Sequence, residues 1–213
     1  MGEKNLIFFR SLRSKRHIYL ERRRVRNLIL SLNQSNQPIK LNIGSSTIHY
    51  EGWISLDLPF FDLLRAELFN LIFDENKIDN VLMEHVLEHL TNDQVKNALL
   101  NIKPFLKREN GRIRIAIPDR NHPNPSYIDY VKPNGCGPGS DDHKSFWNIE
   151  DFQDLSEELG FILYPIEYYD RFKKLHTNSI NLDYGPIRRT AQKPNVNKAI
   201  SDYSSLIIDL TLK

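Results

Sequence analysis

From residue 39 onward, short runs of apolar, β-favouring residues take turns with helix-patterned segments. That alternation leaves few folds open, because each parallel strand pair needs a crossover long enough to hold a helix. Residues 39–43, 53–58, 78–83 and 112–117 read as strands, the last one alternating in pattern and closed by Pro118. Residues 161–169 and 205–212 read as two more. Residues 92–106 carry Val95, Ala98, Leu99, Ile102, Phe105 and Leu106 at helical spacing, and Asn110-Gly111 stops the run. Residues 149–159 form a second such helix, ended by Gly160. Residues 121–140 are crowded with Pro, Gly and Asn and read as a long functional or mobile loop. The stretch 170–204 is an insertion without a readable pattern. A mostly parallel α/β sheet flanked by helices is therefore expected, and 213 residues suit a single core.

Charge divides the chain differently. Residues 1–40 hold ten Lys or Arg against Glu3 and Glu21, a net of +8, so the remaining 173 residues carry 19 basic against 25 acidic side chains, a net of −6. Residues 15–32 read as an Arg-dense helix with Ile18, Leu20, Val25, Leu28, Ile29 and Leu32 on a loosely helical spacing. Its basic side either meets phosphates or is the solvated side of a helix packed on the domain. The Asn-, Gln- and Ser-rich stretch 33–38 places a boundary there, giving a basic arm or linker over 1–37 and a domain over 38–213.

The chain shows no apolar run near the roughly 20 residues of a membrane span. Residues 6–9 are too short for a secretory signal, and Leu6 stands where a myristoylation motif wants Ser or Thr. A cytoplasmic protein is expected. Cys136 is the single cysteine, which excludes an intrachain disulfide and a cysteine-rich metal cluster.

A strand that runs into Gly44-Ser45-Ser46 puts a sharp turn at the carboxyl end of the sheet, where open α/β folds bind nucleotides. Asp57, at the end of the next strand, can accept hydrogen bonds from both hydroxyls of a ribose. The two motifs imply an adenosine-type ligand. Gly44 and Asp57 are 13 positions apart, whereas the dinucleotide fingerprint wants an acidic residue about 20 beyond its glycines. The second and third glycines are also missing, so a nicotinamide or flavin dehydrogenase is disfavoured.

Five motifs then occur in order: Leu41-Asn42-Ile43-Gly44-Ser45, Gly52-Trp53-Ile54-Ser55-Leu56-Asp57, Phe73-Asp74-Glu75-Asn76-Lys77-Ile78-Asp79, Glu84-His85-Val86-Leu87-Glu88-His89-Leu90 and Gly111-Arg112-Ile113-Arg114-Ile115-Ala116-Ile117-Pro118-Asp119. Over roughly residues 39–165 the chain resembles the small class I S-adenosylmethionine-dependent methyltransferases associated with polysaccharide biosynthesis. In size and basic arm it is also similar to the carboxyl-terminal methyltransferase module of chlorovirus multidomain glycan-synthesising proteins. The resemblance implies a Rossmann-like, mostly parallel seven-stranded sheet and S-adenosylmethionine as cofactor, with S-adenosylhomocysteine as product. It implies methylation of a sugar hydroxyl in a glycan or glycan precursor, for example on a deoxyhexose such as rhamnose. The implied partners are a sugar acceptor and glycosyltransferases fused to or associated with the chain, not nucleic acid. Alternatives are a methyltransferase of a small metabolite or of nucleic acid with the arm on phosphates, and a cofactor-binding domain without catalysis.

Carried onto this sequence, the resemblance implies that Gly44 and Ser45, with Asn42 and Ser46 around them, line the methionine end of the cofactor. Asp57, followed by Leu58, holds the ribose, Glu67 meets the adenine amino group, and Glu84 and His85 border the reactive end. Asn42 replaces the usual acidic residue, and the glycine pattern is shortened. A sugar hydroxyl needs a base, and Asp141-Asp142-His143-Lys144 in the loop is the leading candidate: Asp142 would orient His143, with Asp119 and His122 as alternatives. Tyr127, Tyr130 and Trp147 are candidates to stack on a sugar or to fill core. His85-x-x-Glu88-His89 also matches an inverted zinc-protease signature. No third ligand is evident, so Glu88 and His89 are read as capping and packing groups and no metal is expected.

Overall fold

The computed structural model describes residues 3–193 and 204–213, and side chains from residue 14 onward. Part of the expected 170–204 insertion lies outside the described residues. Among them, seven strands form one sheet: β1 (Ile39–Ile43), β2 (Ile54–Leu56), β3 (Ile78–Glu84), β4 (Arg112–Ile117), β5 (Phe161–Tyr169), β6 (Leu175–Thr177) and β7 (Leu206–Leu212). Their order is β2-β1-β3-β4-β7-β5-β6. The pairs β1/β2, β1/β3 and β3/β4 are parallel, and β7 lies antiparallel between β4 and β5. The sheet is therefore mostly parallel and helix-flanked, as expected, with β7 reversed inside it and β6 reversed at its edge.

The helices are α1 (Glu3–Gln34), α2 (Ala66–Ile72), α3 (Asn92–Ile102), α4 (Pro125–Val131) and α5 (Ile149–Leu159). Helix α3 starts on a Thr91/Gln94 capping box and α5 on an Asn148/Asp151 box, each pairing backbone donors that a helix start leaves open. The expected helix over 92–106 stops at Ile102 and tightens into a single turn, Lys103–Phe105. Pro104 offers no N–H to continue it. Gly160, at φ 69°, closes α5 in the left-handed conformation that glycine adopts without strain. Three short elements were not evident from pattern: α2, α4 inside the expected loop, and β6.

Helix α1 is longer than expected and joins the core. Val25 and Ile29, one turn apart, are fully buried, whereas Leu20 and Leu28 remain exposed. Arg22 Nε donates to Phe60 O at 2.7 Å, and Arg26 reaches both Ile72 O and Asp74 Oδ1 at 2.9 Å. From Arg22 onward the basic helix is packed on the domain.

Strand β7 is locked by charge. Arg114 on β4 and Asp209 on β7 are each 1% exposed and pair through two 2.8 Å contacts, Nε to Oδ1 and Nη2 to Oδ2. Arg114 Nη1 also donates to Asn181 O and Gly185 O, which ties the segment after β6 to the sheet. A buried pair with its remaining donors satisfied is stable; removing one partner strands the other.

Candidate active site

The carboxyl ends of β1, β2 and β3 open into a cavity of about 330 Å³ lined by Gly44, Asp57, Leu58, Phe61, Asp62, Leu63, His85, Val86, His89 and Asp142, among others. That volume falls within the roughly 300–1,000 Å³ of small-molecule sites. The turn after β1 is held by its backbone: Gly44 N donates to Leu56 O at 2.8 Å, and Ser46 N donates to Asp57 Oδ2 at 2.7 Å. Gly44 has φ +67°, and a Cβ there would stand 2.5 Å from Val86 Cγ2, so both conformation and space demand glycine. Asp57 Oδ1 accepts from Leu58 N. Each carboxylate oxygen thus keeps a lone pair for a ligand. Asp57, Asp62 and Asp142 give the cavity three carboxylates, a setting that favours a cationic ligand.

A second cavity, of about 190 Å³, adjoins the first through His85 and His89 and is further lined by Glu88, Tyr130, Val131, Pro138, Gly139, His143 and Arg189. His85 takes a left-handed φ of 58° just after β3. Its Nδ1 is 2.9 Å from Glu88 Oε1 and its Nε2 is 3.2 Å from Ser205 Oγ on the approach to β7. His143 reaches the site because Lys144 N and Ser145 N both donate to Glu88 O, at 2.7 and 3.2 Å. His143 Nδ1 lies 2.6 Å from Val131 O, so Nδ1 is the donor in that contact, and in the neutral ring the lone pair is on Nε2. The His143 ring meets His89 edge to face at 4.9 Å. Burial acts to raise the Glu88 pKa, but the charge and hydrogen bond of His85 outweigh it and hold the carboxyl below its ordinary value.

The expected residues divide into two sets. Gly44, Asp57, Leu58 and His85 line the first cavity with Asp142, and His143 lines the second. Asn42 is buried and braces the turn by donating to Ile48 O, and Ser45 is buried beside it. Glu84 does not face the main cavity. Its carboxylate accepts from Arg188 N and Arg189 N and pairs with Arg188 Nε at 3.1 Å. Glu67 is 64% exposed and paired with Arg65, away from both cavities.

The alternative bases are buried and line neither cavity. Asp119 is 1% exposed and accepts from Asn121 N and Tyr169 N, one on each oxygen. Burial pushes its pKa up to about 6, against those two hydrogen bonds. His122 stacks on Tyr127 and is pushed down to about 4, by burial first and then by the charge of Lys173. Tyr127 and Trp147 are core, whereas Tyr130 lines the second cavity. Sequence reasoning missed Phe61, Asp62, Leu63, Val86 and Leu90 in the first cavity; the position of residues 61–63 just past the Asp57 strand end was the available signal.

The zinc-protease reading needs a helix that presents its two His on one face. Here β3 ends at Glu84, only Leu87–His89 forms a single turn, and both ring nitrogens of His85 are engaged.

No protein-family model and no curated protein sequence matches the chain. Among solved structures it is similar to a SAM-dependent methyltransferase from Archaeoglobus fulgidus, at 18% identity over 87% of this chain and 92% of that one, with a TM-score of 0.48. It is similar to Burkholderia thailandensis 1,6-didemethyltoxoflavin-N1-methyltransferase with 1,6-didemethyltoxoflavin and S-adenosylhomocysteine bound, at 13% identity over 97% and 86%, TM-score 0.45. It is also similar to magnesium protoporphyrin IX methyltransferase from Synechocystis with bound S-adenosylhomocysteine, at 12% identity over 91% and 84%, TM-score 0.43. At these scores no residue's role transfers from them. Among the described residues no helix is long and apolar enough to cross a membrane.

Proposed function

We propose that the chain is an S-adenosylmethionine-dependent methyltransferase that methylates a sugar hydroxyl in a glycan or glycan precursor, alongside the glycosyltransferases that build it. The carrying observation is the 330 Å³ cavity at the carboxyl ends of β1–β3, with Asp57 at the end of β2 facing into it. Asp57 holds the ribose hydroxyls. Phe61 and Leu63 supply apolar surface for the base, and the carboxylates of Asp62 and Asp142 favour the sulfonium and amino charges.

The acceptor occupies the adjoining cavity, where the rim aromatic Tyr130 suits the apolar face of a sugar and His143 Nε2 faces the reacting hydroxyl. Methyl transfer from a sulfonium is an in-line displacement, so holding an acceptor oxygen about 3 Å from the methyl supplies much of the acceleration. The shared His85 and His89 wall of the two cavities supports this reading, in which cofactor and acceptor lie side by side. The sugar itself is supported by the sequence resemblance.

Calorimetric titration with S-adenosylhomocysteine tests the cofactor, with saturable one-to-one binding expected. Labelled S-adenosylmethionine with a panel of oligosaccharides tests the acceptor. No binding overturns the whole reading. Binding with label transferred only to non-sugar acceptors overturns the glycan part alone.

A further inference from the structure

We infer that Glu88, His89 and His143 form a binding site for one divalent transition-metal ion in the second cavity. One ligand atom from each of these residues lies within 4.8 Å of the others. One atom of the group is an orphan: Glu88 Oε2 is buried and makes no hydrogen bond, whereas His89 Nδ1 has Asp142 Oδ2 at 3.3 Å. Buried polar atoms are nearly always paired, so an orphaned carboxylate oxygen between two imidazoles marks a missing partner. A cation held by Glu88 Oε2 and one nitrogen of each imidazole supplies it.

The surroundings are those of a ligand set. A metal-bound His commonly donates its other ring N–H to a carbonyl or carboxylate, which fixes tautomer and orientation. His143 does this through Nδ1 and Val131 O. Glu88 is oriented in the same way, its Oε1 held at 2.9 Å by His85. Two imidazoles and a carboxylate suit zinc, cobalt or iron better than magnesium, which prefers an all-oxygen shell. Tetrahedral bonds of about 2.0–2.1 Å set ligand atoms roughly 3.4 Å apart. Closing the cluster from 4.8 Å takes a small shift, which the half-buried His89 and His143 can make. Arg189 also lines the cavity and opposes the cation.

The site itself does not depend on the proposed function. Its use does: an ion beside the shared His85 and His89 wall would bind the acceptor hydroxyl and, as a Lewis acid, lower its pKa. His143 would then act as a ligand and not as a free base.

The test is titration of the chelator-stripped protein with Zn²⁺, Co²⁺ and Mg²⁺, with the visible absorption of Co²⁺ reporting imidazole ligation. One equivalent of Zn²⁺ or Co²⁺ is expected, with Mg²⁺ at least tenfold weaker. His143→Ala should weaken Co²⁺ binding at least tenfold with an unchanged melting temperature, and His17→Ala, on the exposed face of α1, should bind as the parent does. Glu88→Gln provides a second variant, read the same way. No stoichiometric binding to the parent, or equal binding by folded His143→Ala, overturns the site. S-adenosylhomocysteine titration of the same samples separates this failure from failure of the cofactor reading.

Discussion

The two adjoining cavities share His85 and His89 but are built in opposite ways. The first lies at strand ends close in sequence, a glycine turn after β1 and a carboxylate after β2 that bond to each other through Ser46 N and Asp57 Oδ2. The second joins the segment after β3 to a loop more than 50 residues later, and the clasp is main chain, Lys144 N and Ser145 N on Glu88 O. In the first cavity the turn and Asp57 are prescribed by local geometry, and the remote loop adds only Asp142. The other exists only because a remote loop is pinned across it, so single substitutions should separate them.

The largest separation is expected on the acceptor side. His143→Ala should lower turnover by about 10²- to 10⁴-fold while S-adenosylhomocysteine affinity stays within a factor of a few. Steady-state kinetics beside calorimetry checks this, and turnover within tenfold of the parent would move the acceptor chemistry elsewhere. Asp209→Ala tests the platform under both cavities. It leaves Arg114 charged and buried, and should cost about 3–5 kcal/mol in denaturant unfolding. A loss below about 1 kcal/mol would mean the strand is held by packing alone.

Asp57→Ala should do the reverse of His143→Ala. Cofactor binding weakens by about 1.5–3 kcal/mol, the usual worth of hydrogen bonds to a charged group, while Co²⁺ binding stays at the parental level. Calorimetry on the folded variant decides it, and unchanged affinity would place the ribose elsewhere.

The smallest effect is a pH slope. Asp119 is raised to about 6, so the native state binds more protons than the unfolded chain between pH 4 and 6, and Asp119's contribution falls as pH rises through that window. His122 is lowered to about 4, so between pH 4 and 6.5 the native state binds fewer protons, and its contribution is lost as pH falls. The two oppose each other. Asp119→Asn removes one and should make stability fall more steeply on acidification, by at most about 1.4 kcal/mol per pH unit. Equal slopes in urea titrations of parent and variant at pH 4.5 and 6 would refute this.

The sequence was most legible where pattern and consequence are local. Strands β1 and β4 and helix α5 have the bounds that periodicity and stop signals imply, because Pro118, Gly160 and an apolar stripe act within a few residues. Helix α4 was hidden inside a Pro- and Gly-rich stretch, although Asn124 accepts from Ser126 N and Pro125 opens the first turn. Those residues serve loops equally well. Glu67 and Glu84 were placed at the ligand by resemblance, but partner charges decide where a carboxylate goes: Arg65 holds one outside, and Arg188 holds the other against the segment after β6.

By itself the sequence determined the parallel core of the sheet, the glycine turn and Asp57, since strand alternation, a positive φ and a strand-end carboxylate are properties of neighbouring residues. Only the tertiary structure decided that α1 is part of the core from Arg22 onward, that Asp119 and His122 are buried, and that His143 stands beside Glu88 and His89. These depend on hydrogen bonds and burial between segments tens of residues apart, whose geometry is set by the assembled sheet and carries no period in the chain.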